Sequence, residues 1–189
     1  GIQAKMQLEA ILLVRNIKTA YIWSRDSKKT KTFVQNIKDK INIKIIACES
    51  PEQTVNLSEI LITCTPSKSP IIKSEWLKKG LHITAMGSDA EMKNELDPKI
   101  IKECDYYIPD SQSQTSILGE LNHAIKAGLV SAEKKYNELG SVIINSNLGR
   151  RNINDVTVAD LTGTGVQDTA IARHTYKISS DKGFGKMIE

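Results

Sequence analysis

Asp89 follows Met86-Gly87-Ser88, and Lys93 lies four residues further on. Two small residues let a ligand approach the backbone, and a carboxylate just behind them is placed for proton transfer. The same four residues also suit an ordinary helix start, with Ser88 or Asp89 bonding free N–H groups. A second constellation opens the chain. Gly1-Ile2-Gln3-Ala4 precedes a helix-forming run and matches the second half of a Gly-x-Gly-x-x-Gly/Ala fingerprint, with Gly1 as second glycine and Ala4 as third small residue. The N–H groups of a helix starting there would face a pyrophosphate, aided by the helix dipole. A third is Ser24-Arg25-Asp26. A carboxylate at a strand end grips the ribose diol of NAD, whereas a small residue followed by Arg suits the 2′-phosphate of NADP. The balance favours NADP, with Asp26 keeping NAD open and an ordinary charged turn as the bland alternative. Thr63-Cys64-Thr65-Pro66-Ser67 is a strand end turning into a polar loop, and Asp160 to Asp168 (DLTGTGVQD) is a strand, a glycine turn and a helix start.

These groups need elements to hold them. Helical composition over 4–14, apolar on most sides, predicts a buried helix, followed by a strand at 20–24. A Lys-rich amphipathic helix at 27–40 turns Phe33, Val34 and Ile37 inward. Strands are expected at 43–48, 59–64, 81–86, 106–108 and 156–161, with helices around 51–55, 97–103 and 166–178. Residues 112–144 read as mostly helical, punctuated by Gly119, Gly128 and Gly140, and the Gly- and Lys-rich tail 181–189 as frayed. Short apolar strands alternating with helices predict an α/β fold with a parallel sheet, whose ligands bind beyond the carboxyl ends of the strands.

Composition narrows the partners. The chain has 189 residues, 40% hydrophobic and 25% charged, with a formal net charge of +4. The Lys clusters at 28–31 and 78–79 read as solvated surface, and with 5% aromatics no nucleic-acid face is expected. Cys48, Cys64 and Cys104 are too scattered for a zinc site or a disulfide framework, so no metal is expected and a reducing, cytoplasmic setting is. No apolar run has the length of a membrane span. His82, His123 and His174 have no partner that the sequence can supply.

Taken together, GIQAKMQLEA at 1–10, ILITCTPSKSPII at 60–72, TAMGSDAEMKNEL at 84–96, GELNHAIKAG at 119–128 and VTVADLTGTGVQDTAIA at 156–172 resemble the ornithine cyclodeaminase/μ-crystallin family. The form of the Gly87–Glu95 loop is closest to a branch near ectoine-utilisation proteins and iminosuccinate reductases. The resemblance implies a homodimeric NAD(P)-dependent enzyme that oxidises an amino acid to an imine, reduces an imino acid, or cyclises with loss of ammonia. It implies Asp89 as the catalytic group that moves a proton. It implies cofactor contacts at Gly1, Ile2, Gln3, Ser24, Arg25, Thr65, Met86, Gly87, Ser88, Lys93 and Leu161, and substrate contacts at Thr162 and Gly163. Leu161 replaces a more usual Ser, which puts that contact in doubt.

The resemblance also implies a Rossmann-like domain over 1–150 and a strand and helix over 151–189 that return toward a substrate and dimerisation domain. The family's first Rossmann strand and N-terminal domain have no counterpart here. A sheet without that strand would leave two unpaired edges, and these residues alone are expected to behave poorly. A non-catalytic, NADPH-keeping ligand carrier of the μ-crystallin kind, or an inactive fragment, is the alternative expectation.

Overall fold

The structure, a computed structural model, describes residues 1–186. Helix α1 (Ile2–Leu12) leads through β1 (Thr19–Ile22), α2 (Ser27–Lys38), β2 (Lys44–Ala47) and α3 (Pro51–Leu57) to β3 (Ile60–Thr63). Next come β4 (Lys68–Ile72), β5 (His82–Ala85), β6 (Asn94–Leu96), α4 (Lys99–Glu103) and β7 (Tyr106–Pro109). Helices α5 (Gln112–Thr115), α6 (Glu120–Lys126) and α7 (Leu139–Ile144), strand β8 (Thr157–Asp160) and helix α8 (Gly165–Asp181) complete the order.

The main sheet runs β3-β5-β8-β7, and every pairing in it is parallel. Strands β1 and β2 pair in parallel as a separate ribbon. One face of the central strands is sealed, with Ile83, Ala85, Val158 and Asp160 buried in register, while His82, Thr84 and Ala159 on the other face are half-buried. Ile83 and Val158 are fully buried there, packed with Val55, Leu96, Ile100 and Leu121. A second cluster of Leu8, Ala20, Ile37 and Ile41 joins α1 and α2 to β1.

Local chemistry starts several helices. The Asp26 side chain accepts from Lys28 N and Lys29 N to cap α2, and Ser50 caps α3 ahead of Pro51. Thr164 and Gln167 form a reciprocal capping box on α8. Ile37 is buried on α2, while Phe33 and Val34 are half-buried.

Three expectations need correction. A small parallel sheet of β4 and β6, built from the loops that follow β3 and β5, was not foreseen. The stretch 112–144 is broken into three short helices with non-helical chain between α6 and α7. Helix α1 buries only Leu8, and Ile2, Met6, Leu13 and Val14 are exposed. The reason is that β1 and β3, which flank the cavity α1 helps to line, are not paired with each other, so no continuous sheet lies beneath the helix. The tail expectation extends over 187–189, which lie outside the described residues.

Candidate active site

The parallel register decides what comes together. Thr63 pairs with Ala85, Ala85 with Asp160, and Asp160 with Pro109, so the four strands of the main sheet end in line. The loops that follow them open on one edge of the sheet. That edge carries Thr65, the run Met86 to Asp89, and Leu161 to Gly163.

Asp89 is about half exposed and forms an ion pair with Lys93. It does not cap a helix, because the residues after it form turns and then β6. Gly87 and Ser88 are buried beneath it. Gly87 is required by close approach. A Cβ there would come within 2.3 Å of the Glu95 carboxyl and of the Thr65 carbonyl oxygen.

Helix α1 begins at Ile2 after Gly1, has no side-chain cap and carries no acid in its first turn. Gly1, Ile2 and Gln3 are exposed, and space around Gly1 is open. The N–H groups of that first turn have no helical partner and keep their attraction for an anion. A cavity of about 430 Å³ lies between α1, β1 and β3, and Ala4, Trp23, Cys64 and Thr65 are among its walls. Thr65 joins that cavity to the Gly87–Asp89 loop, because its carbonyl oxygen lies against Gly87.

At the end of β1, Ser24 is tied into the turn: its hydroxyl donates to the Asp26 carbonyl at 3.0 Å and shares a hydrogen bond with Thr30 Oγ1 at 2.6 Å. Asp26 Oδ1 is committed to the cap. Arg25 is exposed.

The loop after β8 is held from below. Asp110 accepts from Thr162 N at 2.8 Å, Gly163 N at 2.8 Å and Thr162 Oγ1 at 3.1 Å. Gln114 donates to Thr162 Oγ1 at 2.9 Å and to the Gly163 carbonyl. Leu161 N returns to Ala85 O at 2.8 Å. The hydroxyl expected to meet substrate is therefore already used within the protein, which turns Thr162 into a braced loop position.

Cys64, and His82 at the opposite end of β5, are not poised for chemistry. Burial, and then the charge of Glu95, push the Cys64 thiol up, away from the thiolate a nucleophile needs. His82 is held down to about 4 by burial and by Arg150, and bonds Thr157 Oγ1 and Thr84 Oγ1. No metal-binding cluster occurs among the described residues.

Sequence reasoning missed a set of buried carboxylates under this edge. Glu95 and Glu120 are essentially inaccessible, and so is Asp160. Asp160 Oδ2 accepts from Tyr107 Oη at 2.6 Å and from Leu121 N at 3.2 Å. Burial, followed by the charge of Glu120, raises Asp160 to about 8. Burial raises Glu120 to about 7, against the four donors that favour its charge. The available signal was an acid placed where strand alternation or a helix start points inward, as with Asp160 after Val158 and Glu120 after Gly119.

Residues 1–183 match the model of the ornithine cyclodeaminase/mu-crystallin family. The chain is similar to an uncharacterised cyclodeaminase of Sinorhizobium fredii, with 47% identity over 189 residues, all of this chain and 57% of that protein. It is 33% identical to an alanine dehydrogenase of Archaeoglobus fulgidus, again over the whole chain and 58% of the relative. Among solved structures it is similar to the Δ1-pyrroline-2-carboxylate reductase of Thermococcus litoralis in complex with NADH and L-proline. The TM-score is 0.92 at 26% identity, covering 100% of this chain and 58% of that one. The chain thus spans a little over half the length of the relatives it matches.

Proposed function

This chain belongs to the ornithine cyclodeaminase/mu-crystallin family, and from that premise we propose that it is the nucleotide-binding part of an NAD(P)-dependent enzyme acting at the α-carbon of an amino or imino acid. What supports the reading is the shared ending of β3, β5 and β8, with Thr65, Met86 to Asp89 and Leu161 to Gly163 on one edge. The residues present fit the cofactor. The first turn of α1 has no side-chain cap and carries no acid, as a pyrophosphate needs. Gly1, Ile2 and Gln3 would hold the pyrophosphate, Ser24 and Arg25 the adenosine ribose, and Thr65, Met86, Gly87, the backbone of Ser88, Lys93 and Leu161 the remainder. When bound, NAD(P) supplies two-electron chemistry at the substrate carbon.

The chain's own residues do the rest. Asp89, on the solvent side of Ser88 and paired with Lys93, moves a proton to or from the reacting nitrogen. Thr162 and Gly163, whose N–H groups are held by Asp110, form the braced loop against which the substrate would lie. Relatives are named as reductases, a dehydrogenase and a cyclodeaminase, and the chemistry proposed here is the part those activities share.

Arg25 favours NADP. Asp26 spends Oδ1 on capping α2, and Arg25 is the exposed cation directly after Ser24 at the end of β1. The test is calorimetric titration of NADPH and NADH into the full-length protein beside Arg25→Ala. NADPH affinity is expected to fall at least about tenfold, the size of one charge-assisted hydrogen bond, with NADH within about twofold. Equal loss for both would remove Arg25 as the phosphate reader. In the same protein, Asp89→Asn is expected to lower kcat by about 100-fold or more while NAD(P)H still binds. Full turnover by Asp89→Asn would end its catalytic assignment.

A further inference from the structure

The loops on the nicotinamide side of the proposed site hang from one buried carboxylate. Strands β3 and β5 stop at Thr63 and Ala85, and the ladder between them ends with Met86 N donating to Thr63 O. Beyond that point the N–H groups of Thr65 and Gly87 have no strand to pair with. Both turn to Glu95 in β6: Thr65 N donates to Oε1 at 2.6 Å and Gly87 N to Oε2 at 2.8 Å. One carboxylate, with one oxygen on each loop, sets the distance between the two loops.

Glu95 is itself held. Its own N–H donates to Glu120 Oε1 at 2.8 Å, and Leu96 N and Asn94 Nδ2 donate to Glu120 Oε2 at 3.2 and 2.6 Å. Ser88, between Gly87 and Asp89, donates its hydroxyl to Glu120 as well. Asp160 then anchors α6 through Leu121 N. Gly119 permits that approach, because a Cβ there would lie 2.6 Å from Asp160 Oδ2. The small β4–β6 sheet thereby acquires a purpose: it delivers Glu95 under the two loops.

We propose that Glu95, backed by Glu120, is a positioning residue that sets the spacing of the Thr65 and Gly87–Asp89 loops for the nicotinamide half of the cofactor. This rests on the NAD(P)-dependent reading above. Neither carboxylate touches the reacting atoms. They act through Thr65, Gly87 and Ser88. Buried charge-assisted hydrogen bonds of this kind are strong, and a neutral amide cannot replace both. In Glu95→Gln one of the two N–H donors would face an NH2 group in place of an oxygen, so one loop would be released.

The experiment compares NADH with ADP-ribose, which lacks nicotinamide and its ribose. Both are titrated into the full-length protein, Glu95→Gln and Ser88→Ala, well below each variant's Tm. Glu95→Gln is expected to weaken NADH about tenfold, as for one lost hydrogen bond to a charged group, and to leave ADP-ribose within about twofold. Ser88→Ala, which cuts the Glu120 tie without removing either carboxylate, is expected to act in the same direction and less. A merely structural role would move both ligands together or neither, and either result overturns the proposal. If Glu95→Gln does not fold, Ser88→Ala decides, and equal NADH affinity there overturns the proposal. A protein that takes only NADPH is compared on NADPH and 2′-phospho-ADP-ribose with the same expected outcomes, and failure of the unmodified protein to bind NADH or NADPH would instead sink the cofactor reading, and the proposal with it.

Discussion

Asp160 and Glu120 show how buried acids tie this molecule to pH. Burial holds Glu120 at about 7 and Asp160 at about 8, against ordinary values of 4.5 and 3.8. Groups raised on folding contribute stability that is complete below the unfolded value and lost as pH rises through the folded one. His82 acts the other way. Its value falls from 6.5 to about 4, so its contribution is present above 6.5 and lost as pH drops. The two effects overlap below pH 6.5, and only the carboxyls act above it. Tm is therefore expected to fall between about pH 6.5 and 8.5, and Glu120→Gln to flatten that slope. A Tm that is level or rising over this window in the unmodified protein would contradict the assignment. Asp160 is the harder residue to replace, since the buried Tyr107 hydroxyl and Leu121 N–H would lose their acceptor with it.

The elements divide into those held by local chemistry and those held by distant partners. Helix α2 belongs to the first kind. Asp26 caps it, Thr30 and Ile37 face inward, and its exposed face is rich in Lys. Asp26→Ala is expected to cost about 1 kcal/mol, a Tm drop of about 2–4 °C for a chain of this size, followed by circular dichroism. An unchanged Tm would mean that packing alone holds the helix start. Strand β6 belongs to the second kind. Asn94, Glu95 and Leu96 are all buried, two of them polar, and no strand periodicity announces them. Their strand state comes from pairing with β4 and from the Glu120 carboxylate, neither of which is local.

For the whole molecule, the main question is the gap between the ribbon and the main sheet. Strands β1 and β3 each pair on one side only among the described residues, and both line the same cavity. Open edges of this kind seek other strands. Leu13, Val14, Ile144 and Ile153 add exposed apolar surface, and α8 buries none of its residues. These 189 residues, expressed alone, are expected to associate with rising concentration in sedimentation experiments and to melt without a single cooperative transition. A soluble monomer with one sharp melt would show that the edges are harmless.

The sequence by itself determined the alternation of strands and helices, the parallel α/β class, the family, and the short motifs at 1–4, 24–26, 65 and 86–89. The family apart, which rests on five stretches taken together, each of these is written in residues a few positions apart, through hydrophobic period and glycine spacing, so one reading along the chain recovers them. Only the tertiary structure decided that Thr162 spends its hydroxyl on Asp110 and Gln114, and that Glu95 holds Thr65 from 30 residues away. Those choices depend on which strands lie side by side and in what register. A buried carboxylate takes the N–H groups that the register brings to it, and separation along the chain carries no record of that.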